Sequence, residues 1–306
     1  MFLRVGTRGS KLALAQTEWV IKELKKHYPS LEVEKVIIKT TGDKILDTPL
    51  SKIGGKGLFV KEIEEALLKG EIDFAVHSMK DVPSLIPHGL EVSIIPERES
   101  PFDVWISSCK DIYSLESGAK IGTSSLRRLS QIKRLRKDLK IYPLRGNVDT
   151  RLRKYQEGQF DGIILAEAGL KRLGLKIDYE RFSLNEMIPA VGQGALGIEI
   201  RNGDWNVKNI LQVLHSEKTA LTIKAERRFL KTVEGGCQVP LGALAYFVNG
   251  KLVITGFISD LEGERFYKDT LEGLPEEAEK LGETLAKSLL SKGGEQILKE
   301  LYKGEK

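Results

Sequence analysis

Short apolar runs and helical apolar stripes alternate along this chain, and each run with its following stripe predicts a strand leading into a helix. Residues 2–6 form a buried-strand run. Ser10 is placed as the N-cap of a helix from Lys11 to about Lys26, stopped at Tyr28-Pro29, so Arg8 falls in the turn between them. Residues 33–39 predict the next strand. A polar connection, Thr40-Thr41-Gly42-Asp43, and a glycine-lysine loop, Lys52-Ile53-Gly54-Gly55-Lys56-Gly57, come after it, and the loop lacks P-loop spacing. Apolar positions at 59, 60, 63, 66 and 67 predict a helix over 59–68 with Gly70 at its end. Residues 72–76 then form a short buried strand, whose end delivers His77-Ser78-Met79-Lys80-Asp81-Val82-Pro83.

Residues 95–101 are polar and bracketed by Pro96 and Pro101, which marks a linker. The strand, turn, helix theme then restarts. A strand near Lys120-Ile121-Gly122 enters Thr123-Ser124-Ser125-Leu126-Arg127-Arg128 and a helix to about Arg136. A strand over 141–144 ends in Arg145-Gly146-Asn147 before a helix carrying Arg151 and Arg153, and a strand over 160–166 precedes Gly169-Leu170-Lys171-Arg172. Residues 188–195 read as a second crossing, and a strand over 196–200 is placed to return to the first half. Helical patterns over 207–214 and 217–233 follow. Three strands near 244–248, 252–259 and 264–271 come next, the first two joined by an Asn249-Gly250 hairpin, and helices over 275–290 and 296–302 close the chain. The expected fold is α/β, with two α/β domains and a small α+β domain behind them.

Composition narrows the class. With 306 residues, 41% hydrophobic and 30% charged, the chain has material for a real core and two or three domains. No apolar run approaches transmembrane length and the opening residues do not read as a secretory signal, so a soluble cytoplasmic protein without a membrane partner is expected. Cys109 and Cys237 are far apart with no Cys-x-x-Cys pairing, which suits a reducing compartment. His27, His77, His88 and His215 show no metal-ligand spacing, and no metal site is expected. The net charge of +5 is unevenly placed: residues 120–154 hold twelve Lys or Arg against two Asp, +10, which leaves −5 elsewhere. Such asymmetry points to an anionic partner, either a nucleic acid or a small polycarboxylate or phosphate.

Three stretches are candidates for chemistry. Gly235 and Gly236 before Cys237, with Pro240 behind, put that thiol on a constrained loop, although a free cysteine is more often a buried apolar side chain. Lys80 and Asp81 stand at the carboxyl end of a strand, where ligands bind in open α/β sheets; an ordinary surface ion pair has slightly better odds from spacing alone. Arg127 and Arg128 lie in a helical first turn behind three hydroxyl residues, a place where arginine opposes the helix dipole and an anion is favoured. A nucleic-acid-binding protein is disfavoured because Tyr142 is the one aromatic residue in the basic stretch. A two-lobed solute-binding protein and an enzyme with a basic cleft both fit the organisation.

The blocks Thr7-Arg8-Gly9-Ser10, Leu12-Ala13-Leu14-Ala15-Gln16, Gly54-Gly55-Lys56-Gly57-Leu58-Phe59, His77-Ser78-Met79-Lys80-Asp81, Gly122-Thr123-Ser124-Ser125-Leu126-Arg127-Arg128, Leu144-Arg145-Gly146-Asn147-Val148, Pro189-Ala190-Val191-Gly192-Gln193-Gly194 and Glu234-Gly235-Gly236-Cys237-Gln238-Val239-Pro240 resemble the porphobilinogen deaminase family. They span roughly the first four-fifths of the chain in the family's order. The resemblance implies two lobes like type II periplasmic binding proteins, 1–97 with 190–208 and 98–189, and a C-terminal α+β domain, 209–306. It implies a transferase that joins four porphobilinogen molecules into hydroxymethylbilane, working as a monomer without nucleic acid. It implies a dipyrromethane cofactor on Cys237 through a thioether, and Asp81 as the catalytic carboxylate. Ser78, Lys80, Asp81, Thr123, Ser124, Ser125, Arg127, Arg128, Arg145 and Gly146 are implied to bind the cofactor. Arg8, Ser10, Gln16, Lys52, Lys56, Phe59, Arg145, Arg151, Arg172 and Gln193 are implied to bind substrate and growing chain, the arginines by bidentate contacts.

Overall fold

The structure is a computed structural model that describes residues 1–44, 57, 59–233 and 239–303. The chain divides into two compact units, Met1–Glu99 with Gly194–Ala220 and Ser100–Gln193 with Leu221–Lys306.

In the first unit, strand β1 (Phe2–Thr7) leads into helix α1 (Lys11–His27), then β2 (Glu32–Ile37), α2 (Lys61–Leu68), β3 (Phe74–Ser78) and β4 (Leu90–Ile94). The sheet is closed by β10 (Leu196–Arg201), which returns from the second crossing and lies antiparallel between β3 and β4, giving the order β2-β1-β3-β10-β4. Strand alternation sorts the core. Phe74 and Val76 pack with Val20, Ile21 and Leu24 of α1, while Ala75 packs with Ile63, Ala66 and Leu67 of α2 on the opposite face. A further helix, α6 (Trp205–Leu211), adds Val207 and Leu211 to the α1 side.

The second unit repeats the plan with β5 (Asp103–Ser107), β6 (Lys120–Gly122), α3 (Leu126–Leu135), β7 (Lys140–Tyr142), α4 (Val148–Gln156), β8 (Gly162–Ala166), α5 (Glu167–Arg172) and β9 (Glu180–Arg181). Its order is β7-β6-β8-β5-β9, with β6 parallel to β7 and β8, and β5 antiparallel to β8. Beyond α7 (Glu217–Val233), strands β11 (Leu241–Val248), β12 (Lys251–Ser259) and β13 (Phe266–Gly273) form an antiparallel meander. Phe229 and Val233 of α7 and Leu281, Leu285 and Leu289 of α8 (Ala278–Leu289) pack with it, and α9 (Glu295–Lys303) follows. The hairpin residues Asn249 and Gly250 have φ of 49° and 80°, the two positive values that a two-residue turn of this type needs.

The chain passes from the first unit to the second after Glu99 and back at Gly194. Residues 209–220 stay with the first unit, because the Ser216 N–H donates to Ile95 O and Thr219 Oγ1 accepts from the Arg98 N–H, at 2.8 and 3.3 Å. Residues 221–303 share one compact unit with the second lobe.

Candidate active site

At the carboxyl end of the first sheet, β1 runs into Thr7, whose buried hydroxyl accepts from Thr17 at 2.9 Å, and then into Arg8. The Arg8 guanidinium stacks 4.2 Å over the Phe59 ring, which unites two residues that lie far apart in the sequence. Ser10 caps α1 as expected, accepting the Ala13 N–H at 3.3 Å. One and a half turns on, buried Gln16 donates through Nε2 to Ser78 Oγ at 2.8 Å. Met79–Asp81 is a single 3-10 turn, anchored where the Met79 N–H donates to Ala195 O at 3.0 Å. The turn leaves Lys80 half-buried and Asp81 exposed. Among the described residues Asp81 has no ion-pair partner, so the ordinary Lys80–Asp81 surface pair is not formed. The expected substrate residues Lys52 and Lys56, and Cys237, lie outside the described residues.

The equivalent edge of the second sheet is built from hydroxyls and backbone. The Thr123 N–H donates to Tyr142 O at 2.9 Å and its Oγ1 accepts the Ser125 N–H at 3.1 Å, while Ser125 caps α3. Ser124 Oγ donates to Leu144 O at 3.1 Å, which ties this turn to the segment carrying half-buried Arg145 and Gly146. Arg151 Nε donates back to Gly146 O at 2.8 Å. Arg172, half-buried, ends α5. Gln193 is buried and donates to Pro101 O at 2.7 Å, joining the two crossings on this unit's side.

Arg127 and Arg128 are held from inside the protein. Both are buried, and both turn their guanidinium groups onto Asp103, which has no exposed surface. Arg127 Nη1 and Nη2 donate to Asp103 Oδ2 and Oδ1 at 2.7 and 3.1 Å; Arg128 Nε and Nη2 donate to Oδ1 at 2.9 and 2.7 Å. Remaining N–H groups reach Ile188 O and Ile164 O, each at 2.8 Å. Each guanidinium group therefore commits two donors to the buried carboxylate of Asp103. Two cations share one anion, so the cluster keeps a surplus charge of +1 beneath the hydroxyl-lined turn. Burial alone raises the Asp103 carboxyl, but the two guanidinium groups outweigh it and hold the group well below the usual carboxylate range.

Several buried acids escape a reading by motif. Asp103 opens β5 beside the apolar residues Phe102 and Val104-Trp105-Ile106, and Glu199 interrupts Leu196–Arg201. A carboxylate inside a run that buries both faces was the signal. Glu226, on the inner side of α7, accepts the Gly192 and Ala245 N–H groups at 2.7 and 2.8 Å and so binds the crossing to β11. Among the described residues no group of three His, Cys, Asp or Glu is arranged to hold a metal ion.

Comparison with known proteins places this arrangement. Residues 3–209 match the family model described as porphobilinogen deaminase, dipyromethane cofactor binding domain, and residues 220–291 match the model of the porphobilinogen deaminase C-terminal domain. The porphobilinogen deaminase of Syntrophobacter fumaroxidans is 49% identical over 98% of both chains, and that of Geobacter sulfurreducens is 51% identical over 99% of this chain and 96% of its own. Among solved structures, the methionine-binding protein MetQ aligns with 70% of this chain and 90% of its own at 19% identity and a TM-score of 0.44. The aliphatic sulphonate binding protein SsuA of Escherichia coli covers 76% and 70% at 17% identity and a TM-score of 0.39. With both family models matched in order and relatives at half identity along nearly its whole length, this chain belongs to the porphobilinogen deaminase family.

Proposed function

We propose that this chain is a transferase that deaminates four porphobilinogen molecules and joins them head to tail into the linear tetrapyrrole hydroxymethylbilane. The observation that carries the reading is the end-to-end match to relatives named porphobilinogen deaminase. The residues around Thr123–Ser125 suit a dipyrromethane, because a group bearing four carboxylates meets hydroxyl donors, the amino end of α3, Arg145 and the +1 surplus beneath them. Ser78, Lys80 and Asp81 on the first unit complete the proposed set, and Cys237 is the attachment point. When bound, the dipyrromethane supplies the nucleophilic pyrrole carbon that primes the chain.

Asp81 is the catalytic carboxylate. The C–N bond of porphobilinogen's protonated aminomethyl group breaks, neutral ammonia leaves with the bonding pair, and the methylene carbon becomes cationic, with charge shared onto the pyrrole nitrogen. A fixed carboxylate beside that N–H favours the charge as it develops. Arg8, Ser10, Gln16, Lys52, Lys56, Phe59, Arg145, Arg151, Arg172 and Gln193 hold the acetate and propionate groups of substrate and product or shape their surroundings. Arg8 does so with its plane already set by Phe59. The enzyme acts as a cytoplasmic monomer without nucleic acid. Among the described residues no helix is long and apolar enough to cross a membrane.

Intact mass tests the reading. The purified protein should carry a covalent excess of two linked pyrrole units, absent from Cys237→Ser and present in Cys109→Ser. An active enzyme without that adduct on Cys237 would overturn the cofactor assignment.

A further inference from the structure

We propose that His77 and Glu199 form a positioning pair for Asp81, with β10 as the rigid backing against which the Asp81 turn is set. The inference rests on the reading of Asp81 as the catalytic carboxylate. His77 is the penultimate residue of β3, four residues before Asp81, and is buried. Its Nε2 lies 2.9 Å from Glu199 Oε2, with the two side chains 4% and 1% exposed. The separation is that of a hydrogen bond between the ring nitrogen and the carboxyl oxygen.

Three observations tie this pair to the turn rather than to the core at large. First, the pairing of β10 with β4 shifts register between Ile198 and Glu199, at the residue that reaches His77. A bulge of this kind re-aims a side chain. Second, β10 is shaped to receive the turn. His77 lies opposite Gly197, where a Cβ would come within 2.2 Å of Met79 Sδ, so the absent side chain makes room for the first residue of the 3-10 turn. Third, Glu199 Oε1 is buried and accepts no hydrogen bond from the described residues. A buried carboxyl group with one oxygen unpaired is a poor choice for stability where an apolar pair fills the same space.

The end of β3 is consequently gripped from both faces, by Gln16 on Ser78 from the α1 side and by Glu199 on His77 from the α2 side. Glu64 of α2 is the remaining buried acid of this cluster. Other charges on the surrounding elements are turned elsewhere: Arg4 and Arg201 toward Asp73 near the other end of β3, Glu62 toward Thr41, and Glu91 toward Lys208.

The test uses full-length, cofactor-loaded protein with porphobilinogen as substrate and cofactor content fixed by mass. Glu199→Ala is expected to lower kcat about tenfold or more, with KM within about twofold of the parent, because a slight displacement of a catalytic group costs rate rather than affinity. Glu199→Gln keeps a hydrogen-bonding group for Nε2 and is expected to recover most of the loss. Parental kcat in Glu199→Ala, or a Gln variant as slow as the Ala variant, overturns the proposal. If Glu199→Ala fails to fold, the double variant His77→Phe with Glu199→Leu removes the pair and its burial cost together, and parental turnover in it is equally decisive. Slow Asp81→Asn enzyme beside fast Glu199 variants overturns the positioning pair alone, whereas parental turnover in Asp81→Asn overturns the reading of Asp81 itself.

Discussion

The two units bury charge in opposite ways. In the second, Asp103 is closed on two guanidinium groups, so the cluster is a cation with a hydroxyl-lined turn beside it. In the first, His77, Glu199 and Glu64 are all weak acids or bases, and burial together with the Glu199 charge pushes Glu64 up to about 7, His77 opposing. One cluster is built to hold charge and the other to hold a shape whose cost varies with pH. A permanent cation suits the recognition of carboxylates, while the first unit's cluster acts through the geometry it gives the end of β3.

The largest test of this contrast is Asp103→Asn. It strands two buried guanidinium groups, and the loss should be about 3–5 kcal/mol, read as a shift in denaturation midpoint, with no cofactor assembled. Arg127→Leu or Arg128→Leu leaves Asp103 with a partner and should cost less, while still impairing assembly by removing the surplus cation. Equal destabilisation by all three substitutions would break the account of Asp103 as the shared anchor.

Asp81→Asn comes next, and its effect should fall on rate alone. Asn retains the shape but not the charge, so single-turnover ring addition should slow about a hundredfold to a thousandfold, roughly 3 kcal/mol, with the melting temperature unchanged. Loaded Asp81→Asn enzyme that adds rings at the parental rate would remove Asp81 from the mechanism.

Glu64→Gln sharpens the comparison through pH. The folded state holds Glu64 at about 7 against an ordinary 4.5, so it keeps a proton that the unfolded chain has released. The stability this contributes is fully present below about pH 4.5 and is lost as pH rises through about 7. Gln fixes the neutral form; the variant should match the parent near pH 4.5 and exceed it by roughly 1–3 kcal/mol above pH 7. Parallel stability curves for the two proteins, from urea melts across that range, would show that Glu64 does not titrate in the native cluster. The smallest effect belongs to Lys137→Ala. Lys137 lies in the basic stretch but pairs with Glu264 at 2.9 Å on the surface, both more than 60% exposed, so neither stability nor cofactor content should move measurably.

Strand and helix positions were largely legible because burial imposes periodicity: residues 74–76 alternate between two helices, and Asn249-Gly250 declares its own turn. Boundaries shifted where other forces prevailed. The helix expected from 59 starts at Lys61, and the one expected over 207–214 ends at Leu211, with a 3-10 turn over Gln212–Leu214. Motifs located the Ser78–Asp81 and Thr123–Arg128 turns, yet local spacing does not reveal what a long side chain folds back upon. Arg127 and Arg128 were legible as charges near an anion site and illegible as partners of Asp103, which is 24 and 25 residues away and on strand β5. His77 and Glu199 are separated by 122 residues, and only the register of β10 on β3 brings them together.

That register also governs how the protein comes off the ribosome. Strand β10 lies inside the first sheet, between β3 and β4, yet is synthesised only after the whole of 100–193. Until residue 201 has emerged, the facing edges of β3 and β4 carry unpaired ladder groups, the situation that invites misassembly in nascent chains. Closure of this sheet is a late, long-range event, slow by its sequence separation. A fragment ending at residue 99 lacks an interior strand, and the turn that carries Asp81 takes up its anchor only once the polypeptide has gone out through the second unit and come back.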